Sequence, residues 1–147
     1  MFMGEYQYTI DEKGRLSIPA KFRETLDVKG EKRLVITRGM DHCLFVFPGY
    51  EWQIWENKIK SLPVTQASAR SFVRIMLSGA FEAELNKQGR ILIPQSLRDY
   101  AEIKKDAVII GISNRMEIWD KARWGTYVEC SEKSLEEISE KLVNFGF

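Results

Sequence analysis

With 147 residues, 44% of them hydrophobic, the chain is long enough for one ordinary domain or two small ones and apolar enough to exclude wholesale disorder. A formal net charge of +1 excludes a general polyanion sponge but not a local nucleic-acid surface, and the charge is uneven: 15 basic against 12 acidic residues over 1–100, and 7 against 9 over 101–147. The longest apolar runs, such as AVIIGI at Ala107 to Ile112, are far too short to cross a bilayer, and the N-terminal MFMGEYQY has no secretory-signal pattern.

In chain order, Tyr6, Tyr8 and Ile10 alternate with polar residues and predict a half-buried strand. A tight turn follows. Asp11 opens it, because its side chain accepts bonds from backbone two residues on, and Gly14 closes it, because glycine takes positive φ without a Cβ clash. The next strand, Arg15-Leu16-Ser17-Ile18, sets Leu16 and Ile18 on one side and Arg15 and Ser17 on the other. Pro19 ends it and starts a short helix, AKFRETL; strands RLVITRG and CLFVFP come next. GYEWQIWENKIKSL puts Trp52, Trp55 and Ile59 at helical spacing. After Pro63, TQASARSFVRIML does the same with Ala69, Phe72 and Met76, while Arg70 and Arg74 share its other face.

The pattern then restarts. Phe81, Ala83 and Leu85 alternate, Asn86 to Gly89 make a turn, Arg90-Ile91-Leu92-Ile93 is a strand, and Pro94 opens the helix QSLRDYA. AVIIGI and RMEIW are two more strands. A C-terminal helix is expected from about Ser134, with Ser134 and Glu137 as a capping box. Leu135, Ile138, Leu142 and Phe145 line one face of it, acidic outside and apolar inside, so it is expected to dock.

Sliding the chain by 75 positions lays Gly14, Arg15, Ile18, Pro19 and Arg23 on Gly89, Arg90, Ile93, Pro94 and Arg98. After a three-residue deletion, Gly39, Val46 and Trp52 meet Gly111, Ile118 and Trp124. The chain is thus one unit of roughly seventy residues used twice. The expected fold is mixed α/β and β-rich: two ββαββ modules related by a pseudo-two-fold, hiding strand edges in a barrel-like sheet, plus linker helices and a C-terminal helix. The division is residues 1–61, first module with its trailing helix; 62–78, helical linker; 79–124, second module; 125–147, helical tail.

Arg15 and Arg90 leave the sheet directly after a tight turn, with Lys13 at the first tip and Lys87 and Gln88 at the second. The planar guanidinium fork suits guanine edges and phosphate oxygens, and a rigid β-ribbon can enter a major groove. One polar hairpin loop is ordinarily only solvated surface. Turn geometry explains Asp11, Asn86, Gly14 and Gly89; it does not explain an arginine at the same outward position twice. Asp11 either holds Arg15 by a local ion pair or sets the turn.

Other features carry no chemistry at this level. His42 stands alone, without a Cys/His/Asp set, so no metal site or triad is expected. Cys43 heads an apolar strand and reads as packing; Cys43 and Cys130 fit a reducing, cytoplasmic setting, with a disulfide between them left open. Arg38 reaches phosphate or pairs with Asp41; Arg70 and Arg74 read as a solvated face, and the tryptophan-rich helix as core and subunit contact rather than a base-stacking surface. No P-loop, dinucleotide fingerprint, nucleophile or base set is present, so neither enzyme activity, cofactor nor small-molecule substrate is expected.

The stretches MGEYQYTIDEKGRLSIPAKFRE, ITRGMDHCLFVFP and ARSFVRIMLSGAFEAELNKQGRILIP resemble the MraZ family of bacterial transcriptional regulators nearly from end to end. The resemblance implies two AbrB-like, swapped-hairpin modules and ring-shaped homo-oligomers. It also implies a nucleoid-associated repressor that binds repeated boxes in double-stranded DNA upstream of its own cell-division and cell-wall gene cluster. The family's D-x-x-x-R motif falls on Asp11 and Arg15, and in the second unit on Asn86 and Arg90. Asn86 departs from the usual acid: the turn is expected to survive and a local ion pair with Arg90 to be lost. A second reading is an antitoxin-type interaction module acting through the C-terminal helix.

Overall fold

A computed structural model describes residues 1–147. The first unit comprises β1 (Phe2–Thr9), β2 (Arg15–Ser17), α1 (Ala20–Val28), β3 (Arg33–Arg38), a 3₁₀ turn at Met40–His42 and β4 (Leu44–Pro48), followed by α2 (Gly49–Lys60) and α3 (Ala67–Ser78). The second comprises β5 (Phe81–Glu84), β6 (Arg90–Leu92), α4 (Gln95–Tyr100), β7 (Asp106–Ser113), β8 (Arg115–Asp120), α5 (Lys121–Lys133) and α6 (Leu135–Lys141), with a final 3₁₀ turn at Val143–Phe145. No helix is long and apolar enough to cross a membrane.

The units exchange strands. β1 of the first pairs antiparallel with β7 of the second, and β5 of the second pairs with β3 of the first. Tyr6 stands opposite Ile109 and Phe81 opposite Ile36, and both partners face the same core. The resulting six-stranded sheet runs β1-β7-β8-β4-β3-β5, and β2 and β6 form a separate two-stranded ribbon. The barrel-like closure expected from the sequence is not found. β1 and β5 remain sheet ends, because at Asp11 and Asn86 the chain turns out of the sheet into three-residue strands that pair only with each other.

Strand alternation divides the core in two. Leu34, Ile36, Leu44, Val46, Ile109 and Ile118 face the ribbon side, where Leu16, Ile18 and Phe22 meet Ile91, Ile93 and Leu97. Val35, Phe45, Phe47, Val108, Ile110 and Trp119 face the opposite side, covered by Trp52 and Ile59 of α2 and Met76 of α3. The tryptophan-rich helix is therefore core, with Trp55 stacked on Phe47 at 5.5 Å between ring centres. Fully buried central strands explain the near-continuous apolar runs in β4 and β7.

The C-terminal region differs from expectation. α5 precedes the expected helix and runs through residues 124 and 125; Asp120 caps it by accepting from the Arg123 backbone N–H at 3.2 Å. Ser134 makes no side-chain cap, so the expected capping box does not form. The apolar stripe Leu135, Ile138, Leu142 and Phe145 is exposed and does not dock on its own chain. Cys43 is buried, Cys130 is exposed, and both are free thiols.

Candidate nucleic-acid interface

The two turns share one set of bonds. In the first, Gly14 donates to the Asp11 carbonyl at 3.0 Å, and Asp11 Oδ1 accepts from the backbone N–H groups of Lys13 and Arg15 at 2.9 Å each. In the second, Gly89 donates to the Asn86 carbonyl at 3.0 Å, and Asn86 Oδ1 accepts from Gln88 and Arg90 at 2.9 Å each. The amide thus replaces the carboxylate without loss of the turn. Gly14 at φ 84° and Gly89 at φ 74° occupy the left-handed region that glycine alone enters freely.

The ribbon joins the turns. Arg15 lies opposite Leu92, Leu16 opposite Ile91, and Ser17 opposite Arg90. Leu16 and Ile91 enter the core. Arg15, Ser17, Arg90 and Leu92 therefore occupy the outer face, flanked by exposed Lys13, Lys87 and Gln88 at the tips. Both arginines are half-buried. All five expected contact residues thus belong to one ribbon with its two tips, drawn from sequence segments 75 positions apart.

The ion pair runs across the ribbon. Arg90 Nη1 donates to Asp11 Oδ2 at 3.1 Å, whereas Arg15 makes no ion pair. This corrects two expectations. Asp11 sets its own turn and holds the other hairpin's arginine, and Asn86 removes the carboxylate that would face Arg15, not Arg90. The Arg15 backbone N–H, then that of Lys13 and the charges of Arg15 and Arg90, hold the Asp11 carboxyl below its usual value against the opposing effect of desolvation.

A second arginine pair locks the ribbon from behind. Arg23 Nε donates to the Ile18 carbonyl at 3.1 Å, and Arg98 Nε to the Ile93 carbonyl at 3.0 Å. Each guanidinium also packs against the other unit's hairpin glycine: a Cβ on Gly14 would meet Arg98 Nη2 at 2.9 Å, and one on Gly89 would meet Arg23 Cδ at 2.8 Å. Backbone bonds of 2.9 Å from Ile18 to Gly89 and from Ile93 to Gly14 complete the lock. The repeat alignment marks Arg23 and Arg98 as equivalent, and that was the available signal for their shared role.

Other candidates lie elsewhere. Arg38 donates to the Ile75 carbonyl at 2.7 Å and to Ser78 Oγ at 3.0 Å, so it anchors α3 and neither pairs with Asp41 nor stands free. Arg70 is tied to the Val64 carbonyl at 3.0 Å. An open groove of about 650 Å³ between α5 and the 3₁₀ turn, lined by His42, Trp119, Arg123, Tyr127 and Cys130 among others, contains no ribbon residue. No cluster of three or more His, Cys, Asp or Glu residues is placed to hold a metal ion.

A family model described as "MraZ protein, putative antitoxin-like" matches residues 1–75 and again residues 76–146. The chain belongs to the MraZ family. Among its MraZ relatives, each named "Transcriptional regulator MraZ", that of Desulfitobacterium hafniense strain DCB-2 is 55% identical over 146 residues, covering 99% of both chains. That of Halothermothrix orenii is 54% identical with the same coverage. The first match takes in α2 and the second takes in α5 and α6, so these helices lie within the matched MraZ repeats. A Pyrococcus horikoshii protein solved in solution overlaps 80% of this chain and 88% of its own at 17% identity and a TM-score of 0.33, too loose a likeness to bear on the fold.

Proposed function

We propose that this chain is a DNA-binding transcriptional regulator that reads a duplex through the outer face of the β2–β6 ribbon. The observation that carries the reading is that one rigid ribbon presents Arg15 and Arg90 together, with Lys13, Lys87 and Gln88 at its tips. The full-length relatives named as transcriptional regulators support the same class. In this reading the arginines contact guanine edges or phosphates, and the tip residues contact the backbone. Repression of its own cell-division and cell-wall cluster, and association with the nucleoid, follow from the family resemblance.

One ribbon binds weakly. A few cationic contacts give non-specific affinity in the range of about 10⁻⁴ to 10⁻⁶ M. Several ribbons on one particle make later contacts intramolecular, with gains of about 10² to 10⁴. We therefore propose that the protein acts as a ring-shaped homo-oligomer on repeated boxes, with swapped hairpins fixing each reader. The uncovered apolar stripe of α6 supports self-association.

Gel shifts on duplexes with one box and with several test this, together with particle mass from light scattering. Several boxes should bind at least tenfold tighter than one, with steep salt dependence, and Arg15→Ala should abolish the shift while leaving the particle intact. Equal affinity for one box and many, or loss of assembly in Arg15→Ala, overturns the proposal.

A further inference from the structure

The ribbon's pseudo-two-fold is broken on the face it presents. The 75-residue shift lays Ser17 on Leu92, so one half of the outer face is Arg15 with leucine opposite and the other is Arg90 with serine opposite. The electrostatics break the same way, because Asp11 tethers Arg90 and Asn86 offers Arg15 no charge.

Leu92 is 45% exposed, whereas Ile91 and Ile93 beside it are at most 1% exposed. A single exposed leucine ordinarily needs no explanation. Its position supplies one here. The backbone bonds Ile18 N–H to Gly89 and Ile93 N–H to Gly14 mark the hydrogen-bonded positions of the ladder. By alternation Arg15–Leu92 and Ser17–Arg90 are the non-hydrogen-bonded pairs, with side chains closest, at about 4.5 Å between Cα atoms. That spacing is close to the ~3.4 Å between successive bases on a strand. A major groove offers one apolar group on its floor, the thymine C5-methyl.

We infer that Leu92 is a specificity residue: it takes the methyl group of a thymine adjacent to the base that Arg15 contacts. This rests on the DNA-binding reading above. Arg15 supplies the polar contact, and Leu92 covers the neighbouring methyl, excluding water from both. Ser17, at the equivalent place beside Arg90, has no such preference, since its hydroxyl donates or accepts toward any base.

The test uses a duplex selected from a random pool by the full-length protein, with the thymines of one box replaced singly by deoxyuridine, which lacks only the methyl group. One position should lose about three- to tenfold in affinity. Leu92→Ser should bind the thymine and uracil duplexes equally, with unchanged particle mass. Uniform tolerance of uracil, or the same uracil penalty in Leu92→Ser, overturns the inference while leaving DNA binding in place. A fall in particle mass in Leu92→Ser also overturns it, by assigning the leucine to a subunit contact. Failure to select any duplex overturns the DNA-binding reading and this inference with it.

Discussion

Asp11 and Arg90, 79 positions apart in sequence, are joined at 3.1 Å, so each hairpin's geometry is tied to the other's. Oδ1 of Asp11 serves its own turn and Oδ2 serves the other unit's arginine. Asp11→Asn keeps the first and loses the second, as Asn86 does natively. Because the folded-state pKa of Asp11 is lowered, its contribution to stability is present above the usual value of 3.8 and is lost as pH falls through the folded value. The melting-temperature gap between wild type and Asp11→Asn should be small, greatest near neutral pH, and should close below pH 3.8. Thermal melts at stepped pH check this; a gap that widens in acid contradicts it.

Gly89→Ala should be among the most damaging small changes in the ribbon. It forces a Cβ into the left-handed region at φ 74° and against the Arg23 side chain at 2.8 Å. The backbone penalty alone is about 1–3 kcal/mol. Gly14→Ala should cost at least as much, since one of its contacts is the Ile93 carbonyl oxygen at 3.0 Å, which cannot swing aside as a side chain does. Denaturant midpoints of the two variants against wild type measure it.

Thr37 is a buried polar residue on β3, and its Oγ1 donates to the Met76 carbonyl of α3 at 2.6 Å. Thr37→Val preserves shape but leaves that carbonyl unpaired beneath the helix. The expected loss is about 1–3 kcal/mol in urea unfolding, with hydrogen exchange fastest in α3. An unchanged midpoint would show that α3 is held by Arg38 and Met76 alone.

The thiols should behave oppositely. Burial, with the nearby Glu117 carboxylate, pushes the Cys43 thiol far above its usual range, whereas Cys130 is exposed. A neutral-pH thiol titration should find one reactive group in the native protein and two in denaturant.

Much of this was legible because the sequence says the same thing twice. The turn chemistry at Asp11–Gly14 and Asn86–Gly89, and the outward arginines, follow from local backbone rules and were readable residue by residue. Which copy touches which was not: the Asp11–Arg90 bond and the pairing of β1 with β7 depend on chain crossing that no local pattern encodes. That α5 starts before the helical tail and is separate from the helix at Ser134 is hidden for a different reason. Gly125 and Thr126 weaken its helical signal, and none of its residues is buried. The repeat contained the remedy, because the alignment of Trp52 with Trp124 carries α2 onto residues 121–132.

The exchange of strands also sets a timetable for synthesis. β1 leaves the ribosome with its partner β7 still unmade, since Phe2 pairs with Ser113 and Thr9 with Asp106. At roughly 5–20 residues per second, translation leaves that edge bare for about 5–20 s. Neither repeat completes its sheet as a nascent fragment, and ribosomes that stall before β7 release a chain whose first strand has nothing to zip against.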